Sequence, residues 1–315
     1  MNLSLKLYKI KKNYKKRYLK LFLILFFSFI NLIIIKNINL SNFLIKNNIL
    51  KKNKNAPKIV AISYANELFK RQLLINKKTA IEVGRVDKYY SYGPDDIDPI
   101  FKEKNKDILS RKRGNGYWLW KPYFILKTFK EKLIEGDYLI YTDAGILYID
   151  TTYKIINFLK EQNAEMWAIQ LNDCVEKKYT KRDAFILLGA DSPFYTDTNM
   201  YMAGIQVYRK SKFTEKFLEE LLYYSQDKRI ITDEPNILGK QNYEEFIDNR
   251  HDQSVFSLLI KKYGQANSGM TNMNISSIKM KNITMPYIFC IYRTEFFKDY
   301  NEIKEKCIKY IKNRK

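Results

Sequence analysis

Across residues 58–292 the apolar positions keep two alternating rhythms. Short β-branched and aromatic runs, bounded by Gly, Pro or Asp, predict buried strands at 58–64, 86–92, 138–142, 166–171, 204–208 and 285–292. Between them, apolar residues three and four apart predict helices over 66–78, 97–109, 122–133, 153–159, 212–224 and 253–263, with a charged helix closing the chain. Strands alternating with helices predict an α/β domain with a mostly parallel sheet flanked by helices. Ligands of such sheets bind beyond the C-terminal ends of the strands, so Asp143, directly after the run YLIYT, falls where chemistry is expected.

The N-terminal pattern is different. Residues 21–35 (LFLILFFSFINLIII) carry no charge, eight Lys or Arg side chains precede them, and Lys36 follows. The run is short for the roughly 20 residues of a full span, a mismatch that snorkelling of Lys20 and Lys36 eases. No small-residue cleavage site follows, which predicts an uncleaved transmembrane signal anchor rather than a removed leader. The expected organisation is a basic cytoplasmic tail (1–20), a transmembrane helix (21–35), a polar stem (36–57) and a catalytic domain (58–315). The positive-inside rule predicts a single-pass type II protein in contact with the lipid bilayer, its domain on the lumenal or extracytoplasmic side.

Charge then changes little. The net charge of +22 is concentrated in residues 1–58, which hold 14 basic side chains and no acidic one, and the remainder carries +8. That placement marks a membrane flank and argues against a nucleic-acid partner, while a mildly basic domain suits an anionic ligand. Cys174, Cys290 and Cys307 have no CxxC spacing, and His251 is the single histidine, so no structural zinc site is expected.

Four segments carry candidate chemistry. In LIYTDAG (139–145), Asp143 reads either as a turn residue or as an acid holding a divalent cation against a diphosphate, with Gly145 letting backbone approach the ligand. In RGNGYWLWKP (113–122), Arg113 and Lys121 are candidates for phosphate. Trp118 and Trp120 read either as core caps or as a sugar platform. In NRHDQS (249–254), Asp252 reads either as a helix N-cap or as a base or acceptor contact, with His251 a metal ligand or phosphate contact. NMYMAGIQV (199–207) leads small residues into a strand.

Together, RGNGYWLWKPYFIL (113–126), GDYLIYTDAG (136–145), MAGIQVYRKS (202–211) and RHDQSVFSLL (250–259) resemble the nucleotide-diphospho-sugar glycosyltransferases of the GT-A (Rossmann-like) fold, in the flavour of capsular polysaccharide and surface-glycan synthesis. The resemblance implies transfer of a sugar from a nucleotide-sugar donor to a glycan, glycolipid or glycoprotein acceptor. It places Arg113, Asn115, Trp118, Trp120, Lys121, Asp143 and Gly145 on the donor side, and Ala203, Gly204 and Gln253 on the acceptor side. It makes Asp143 and Asp252 the catalytic carboxylates, with Mn2+ or Mg2+ held by Asp143 and His251. The family's usual Asp-x-Asp is here Asp143-Ala144-Gly145, without the second acid. This departure motivates an alternative, a membrane-tethered carbohydrate-binding protein without turnover.

Overall fold

The computed structural model describes residues 56–266 and the backbone of two further strands, 275–279 and 289–291. The anchor read at 21–35, its tail, most of the stem and the charged C-terminal helix lie outside the described residues. Among the described residues no helix is long and apolar enough to cross a membrane. The chain divides into two compact units between Ala56 and Pro57, and everything below belongs to the second.

The elements, in chain order, are β1 (Ile59–Tyr64), α1 (Lys70–Glu82), β2 (Lys88–Tyr92), α2 (Trp120–Lys132), β3 (Tyr138–Thr142), β4 (Ile146–Tyr148), α3 (Tyr153–Glu161), β5 (Met166–Val175), β6 (Asn199–Arg209), α4 (Lys212–Ser225), α5 (Asp252–Ala266), β7 (Ile275–Lys279) and β8 (Phe289–Ile291). Shorter helices fill the connections, among them Arg182–Leu187 and Lys228–Ile231. Six strands form one sheet in the order β2-β1-β3-β6-β5-β7, and β4 pairs with β8 in a separate ribbon.

Strand alternation builds two cores. Val60, Ile62 and Tyr64 face one side of the sheet, where Phe124 and Phe129 of α2, Phe217 and Leu221 of α4 and Phe256 of α5 cover them. Ile59 and Ala61 face the other, under Ala80 of α1 and Ile155, Ile156 and Leu159 of α3. The fold is thus an α/β sheet flanked by helices, but it is mixed. β1 runs parallel to β2 and β3, whereas β6 runs antiparallel to both β3 and β5. The cause lies in the connection. Val175 at the end of β5 pairs with Asn199 at the start of β6, so the chain returns from the edge it left and must reverse. The first residues of β6 thereby extend past the end of β3, alongside Asp143.

Candidate active site

Three elements meet at this end of the sheet. Asp143 leaves β3, and its backbone N–H donates to Gly204 O at 2.8 Å, continuing the ladder for one residue. The turn closes where Ile146 N donates to Asp143 O at 3.0 Å. It is held from below by Asn76 of α1, fully buried, whose Nδ2 donates to Thr142 Oγ1 (2.9 Å) and Ile146 O (2.6 Å) while its Oδ1 accepts from Tyr89 Oη (2.5 Å). Gly145 lies half-buried in the same turn.

Lys121, in the first turn of α2, reaches in from one side. Its Nζ stands 2.7 Å from Asp252 Oδ2 and 3.3 Å from Asp143 Oδ1. Only 5 % of the Lys121 side chain and 8 % of that of Asp252 are exposed, against 45 % for Asp143. Tyr141 Oη donates to Asp143 Oδ1 at 2.5 Å, and the ammonium lies 5.4 Å from the Tyr141 ring centroid. The group therefore holds two carboxylates and one ammonium, and it opens outward through Asp143.

The electrostatics follow from burial. Burial alone would lower the Lys121 pKa, but the charges of Asp143 and Asp252 outweigh it and hold the ammonium above its ordinary value. Asp252 is raised from the usual 3.8 to about 6, first by burial, with Lys121 opposing and Asp143 adding to the shift. Burial, then the Asp143 charge, push the Tyr141 phenol well above its ordinary value, so it remains a donor.

Gly204 is the residue that makes the approach of β6 to Asp143 possible. A β-carbon there would stand 2.8 Å from Asp143 Oδ2. Gly204→Ala is expected to displace that carboxylate and, on the transfer reading proposed below, to lower turnover roughly tenfold or more while the thermal midpoint stays close to wild type. Turnover assays beside a melting curve check this, and unaltered turnover would refute the close-approach role. Beside Gly204, Ala203 N donates to Gln253 Oε1 at 3.3 Å, so the acceptor-side trio of the sequence reading is brought together.

Other expected residues sit differently. Arg113 pairs with two carboxylates. Its guanidinium grips both oxygens of Asp248 at 3.0 Å and Asp233 at 3.2 Å, tying down the long segment between the helix Lys228–Ile231 and α5. Trp120 is buried, stacked on Tyr64 at 3.8 Å, with its Nε1 donating to Gly114 O, so its face is not a sugar platform. Trp118 is half-buried, but its ring packs on His251 (5.2 Å) and a β-carbon on Gly114 would fall onto it. Asn115 Nδ2 donates to Tyr64 Oη.

His251 is buried, its Nδ1 against Ile231 O at 2.7 Å and its Nε2 3.8 Å from Asp233 Oδ1. Burial lowers its pKa, the Ile231 carbonyl and Asp233 opposing. This is the environment of a neutral packing imidazole. The expected Asp143–His251 metal pair is not assembled, and among the described residues no three His, Cys, Asp or Glu side chains converge on a point a metal could fill. Asp143 Oδ1 already takes Tyr141 and Lys121, so the described side chains do not fit a protein-held divalent cation of the two-carboxylate kind.

The local backbone explains the tryptophans. Gly114, Asn115, Gly116, Tyr117 and Trp118 have φ of 57, 53, 93, 51 and 59°, five consecutive residues of the left-handed hand. L-residues resist this conformation by about 1–2 kcal/mol each, which is why glycine and asparagine fill three of the five positions. The sequence hinted at this loop through its glycines but not through Tyr117 or Trp118.

No family model matches the sequence, and no curated protein matches it. Among solved structures the chain is similar to the galactosyltransferase LgtC in complex with donor and acceptor sugar analogs (12 % identity, 80 % of this chain and 95 % of that chain, TM-score 0.38). It is also similar to mouse xyloside xylosyltransferase 1 in its apo form (8 % identity, 70 % and 84 %, TM-score 0.38). A third is the WbbM bifunctional glycosyltransferase, of whose length the chain spans only 38 % (12 % identity, 66 % of this chain, TM-score 0.37). All three of those proteins are glycosyltransferases. The functional reading stands on the side chains around Lys121.

Proposed function

We propose that the chain transfers a sugar from a nucleotide-diphosphate donor to a glycan, lipid or protein acceptor. One observation carries this reading: a buried ammonium bracketed by two carboxylates at the end of β3, with one carboxylate half open to solvent. Such a group offers fixed donors and acceptors together, which is what a polyol needs. Its formal charge is already negative, so it suits sugar hydroxyls better than a diphosphate. Asp143 is the carboxylate a ligand reaches. Lys121 and Asp252 act behind it, setting its charge and position. In the transfer, the acceptor oxygen bonds to the anomeric carbon as the bond from that carbon to the donor phosphate breaks, and the acceptor proton leaves to a base or to solvent. No step is routed through a metal.

The uncharged run 21–35 and its basic flank support placing this activity on a membrane, in the single-pass type II arrangement that the charge bias suggests. A second reading, glycan binding without turnover, is favoured by the commitment of Arg113 and Lys121 to carboxylates, since these were the cations expected to meet phosphate. The full chain in detergent or nanodiscs, assayed for turnover of a panel of nucleotide sugars with Mn2+ and with chelator, separates the two. Turnover of one donor establishes transfer. A folded protein that binds glycans and turns over no donor establishes the second reading.

The pH dependence follows from Asp252. With its carboxyl raised to about 6, turnover is expected to climb through a midpoint near that value as Asp252 ionises and Lys121 gains its second partner. Stability moves the other way. The folded chain holds this proton more tightly than the unfolded one, so the contribution is present below the usual 3.8 and is lost as pH rises through about 6. Asp252→Asn should flatten both slopes, and a pH–rate profile whose acid limb persists in that variant would refute the assignment.

A further inference from the structure

Helix α1 turns an outer face to solvent that no part of the transfer reading uses. Leu73, Asn76, Thr79 and Ala80 are buried against the sheet. On the opposite side Leu74 is 64 % and Ile81 46 % exposed, one above the other along a single ridge. Exposed Lys70, which also pairs with Glu67 at 3.0 Å, and Lys77 flank this ridge on one side, and Arg71 and Lys78 on the other, with exposed Glu82 beyond Lys78. The turn before the helix adds Leu68 and Phe69, 80 % and 52 % exposed.

We propose that this face of α1 lies on a bilayer surface bearing anionic headgroups. An apolar ridge with lysine and arginine along both flanks is the arrangement by which a helix rests in an interface, ridge toward the acyl boundary and cations spreading to the headgroups. The same chain carries, ahead of Pro57, the uncharged run 21–35 with its basic flank, which supplies a second, independent membrane signal. Both ends of α1 are tied to informative places. Its N-terminus follows the end of β1 that faces the site. Its C-terminus lies where the incoming chain joins the sheet, since Asp87 N donates to Ile59 O and Ile59 N donates to Asp87 Oδ2, each at 2.8 Å. A helix about 20 Å long laid flat would keep the mouth of the site near the headgroups. If transfer is the activity, the acceptor class that fits is a glycan carried on a lipid. That clause rests on the proposed function; the surface itself does not.

The test uses the full chain in nanodiscs of phosphatidylcholine with or without phosphatidylglycerol, the acyl chains brominated as quenchers. Leu74→Trp reports from the ridge. Lys216→Trp reports from α4, which covers the opposite face of the sheet, and the three native tryptophans contribute equally to both. The expected result is quenching of the residue-74 signal severalfold above that at 216 in phosphatidylglycerol discs, falling to the residue-216 level when Lys77 and Lys78 are both changed to Glu. Equal quenching at the two positions overturns the proposal, as does quenching indifferent to phosphatidylglycerol. Concentration-dependent dimerisation that shields residue 74 without quenching would assign the face to a second copy and equally overturn it. In a companion assay, changing Leu74 and Ile81 together to Glu should spare transfer to a water-soluble acceptor and lower transfer to a lipid-borne one roughly tenfold. A wild-type protein that transfers to neither acceptor refutes the transfer reading and leaves the quenching result standing.

Discussion

Lys121→Met is expected to lower transfer by roughly 10²–10³-fold, the usual cost of removing a preorganised charge from a reaction site. It should also destabilise the fold by up to about 3–5 kcal/mol, because Asp252 is left buried without its partner. The stability loss has a ceiling. An unpartnered Asp252 takes up a proton near neutral pH and becomes a neutral acid. The double variant Lys121→Met with Asp252→Asn should therefore recover much of the stability in urea unfolding and none of the activity, a non-additivity expected of residues in direct contact. Equal losses of stability in the single and double variants would show that the pair is not coupled as the 2.7 Å separation indicates.

Asp143→Asn isolates the other half of the group. Its side chain is 45 % exposed, and the amide can still accept the Tyr141 hydroxyl, so stability should change by no more than about 1 kcal/mol. Turnover should fall by roughly 100-fold or more, because a neutral amide neither balances Lys121 nor binds sugar hydroxyls with charge-assisted strength. Initial rates on the donor identified from the panel, measured beside a thermal melt, decide the matter. A variant within threefold of wild type, with the same melt, would remove Asp143 from the machinery.

Much of this architecture was written locally. YLIYT is an unbroken buried run between Asp137 and Asp143, and β3 has those bounds. The spacing over 97–109 predicts one helix, and the structure has two, Pro99–Lys104 and Lys106–Leu109, with Asn105 between them donating its side-chain amide to Phe101 O. The reversed direction of β6 had no local signature, since apolar alternation reads the same along either direction of a strand. The connection between β5 and β6, which buries Phe185 in a short helix and Leu188 directly after it, gives no local sign that it returns to the edge it left. The site divides in the same way. Asp143, Lys121 and Asp252 could each be picked out by neighbouring residues, yet their convergence on one ammonium joins positions more than a hundred residues apart. For Arg113 and the two tryptophans the converse holds. Residue type suggested phosphate and sugar, but the partners that occupy them, Asp233, Asp248, Tyr64 and His251, are set by tertiary packing.

The left-handed turn at 114–118 has a consequence in time rather than in space. A segment whose local preference opposes its native shape has little tendency to form before its surroundings exist. Its conformation is held by Tyr64, which stacks on Trp120, and by His251, which stacks on Trp118, and these come from β1 and from the entrance to α5, distant in sequence. The turn is therefore expected to be among the last contacts made as the chain folds and the first lost as it opens. Substitutions within it should speed unfolding and leave the refolding rate almost unchanged. The loop that leads into Lys121 is thus guarded by the lifetime of the native state more than by the speed of reaching it.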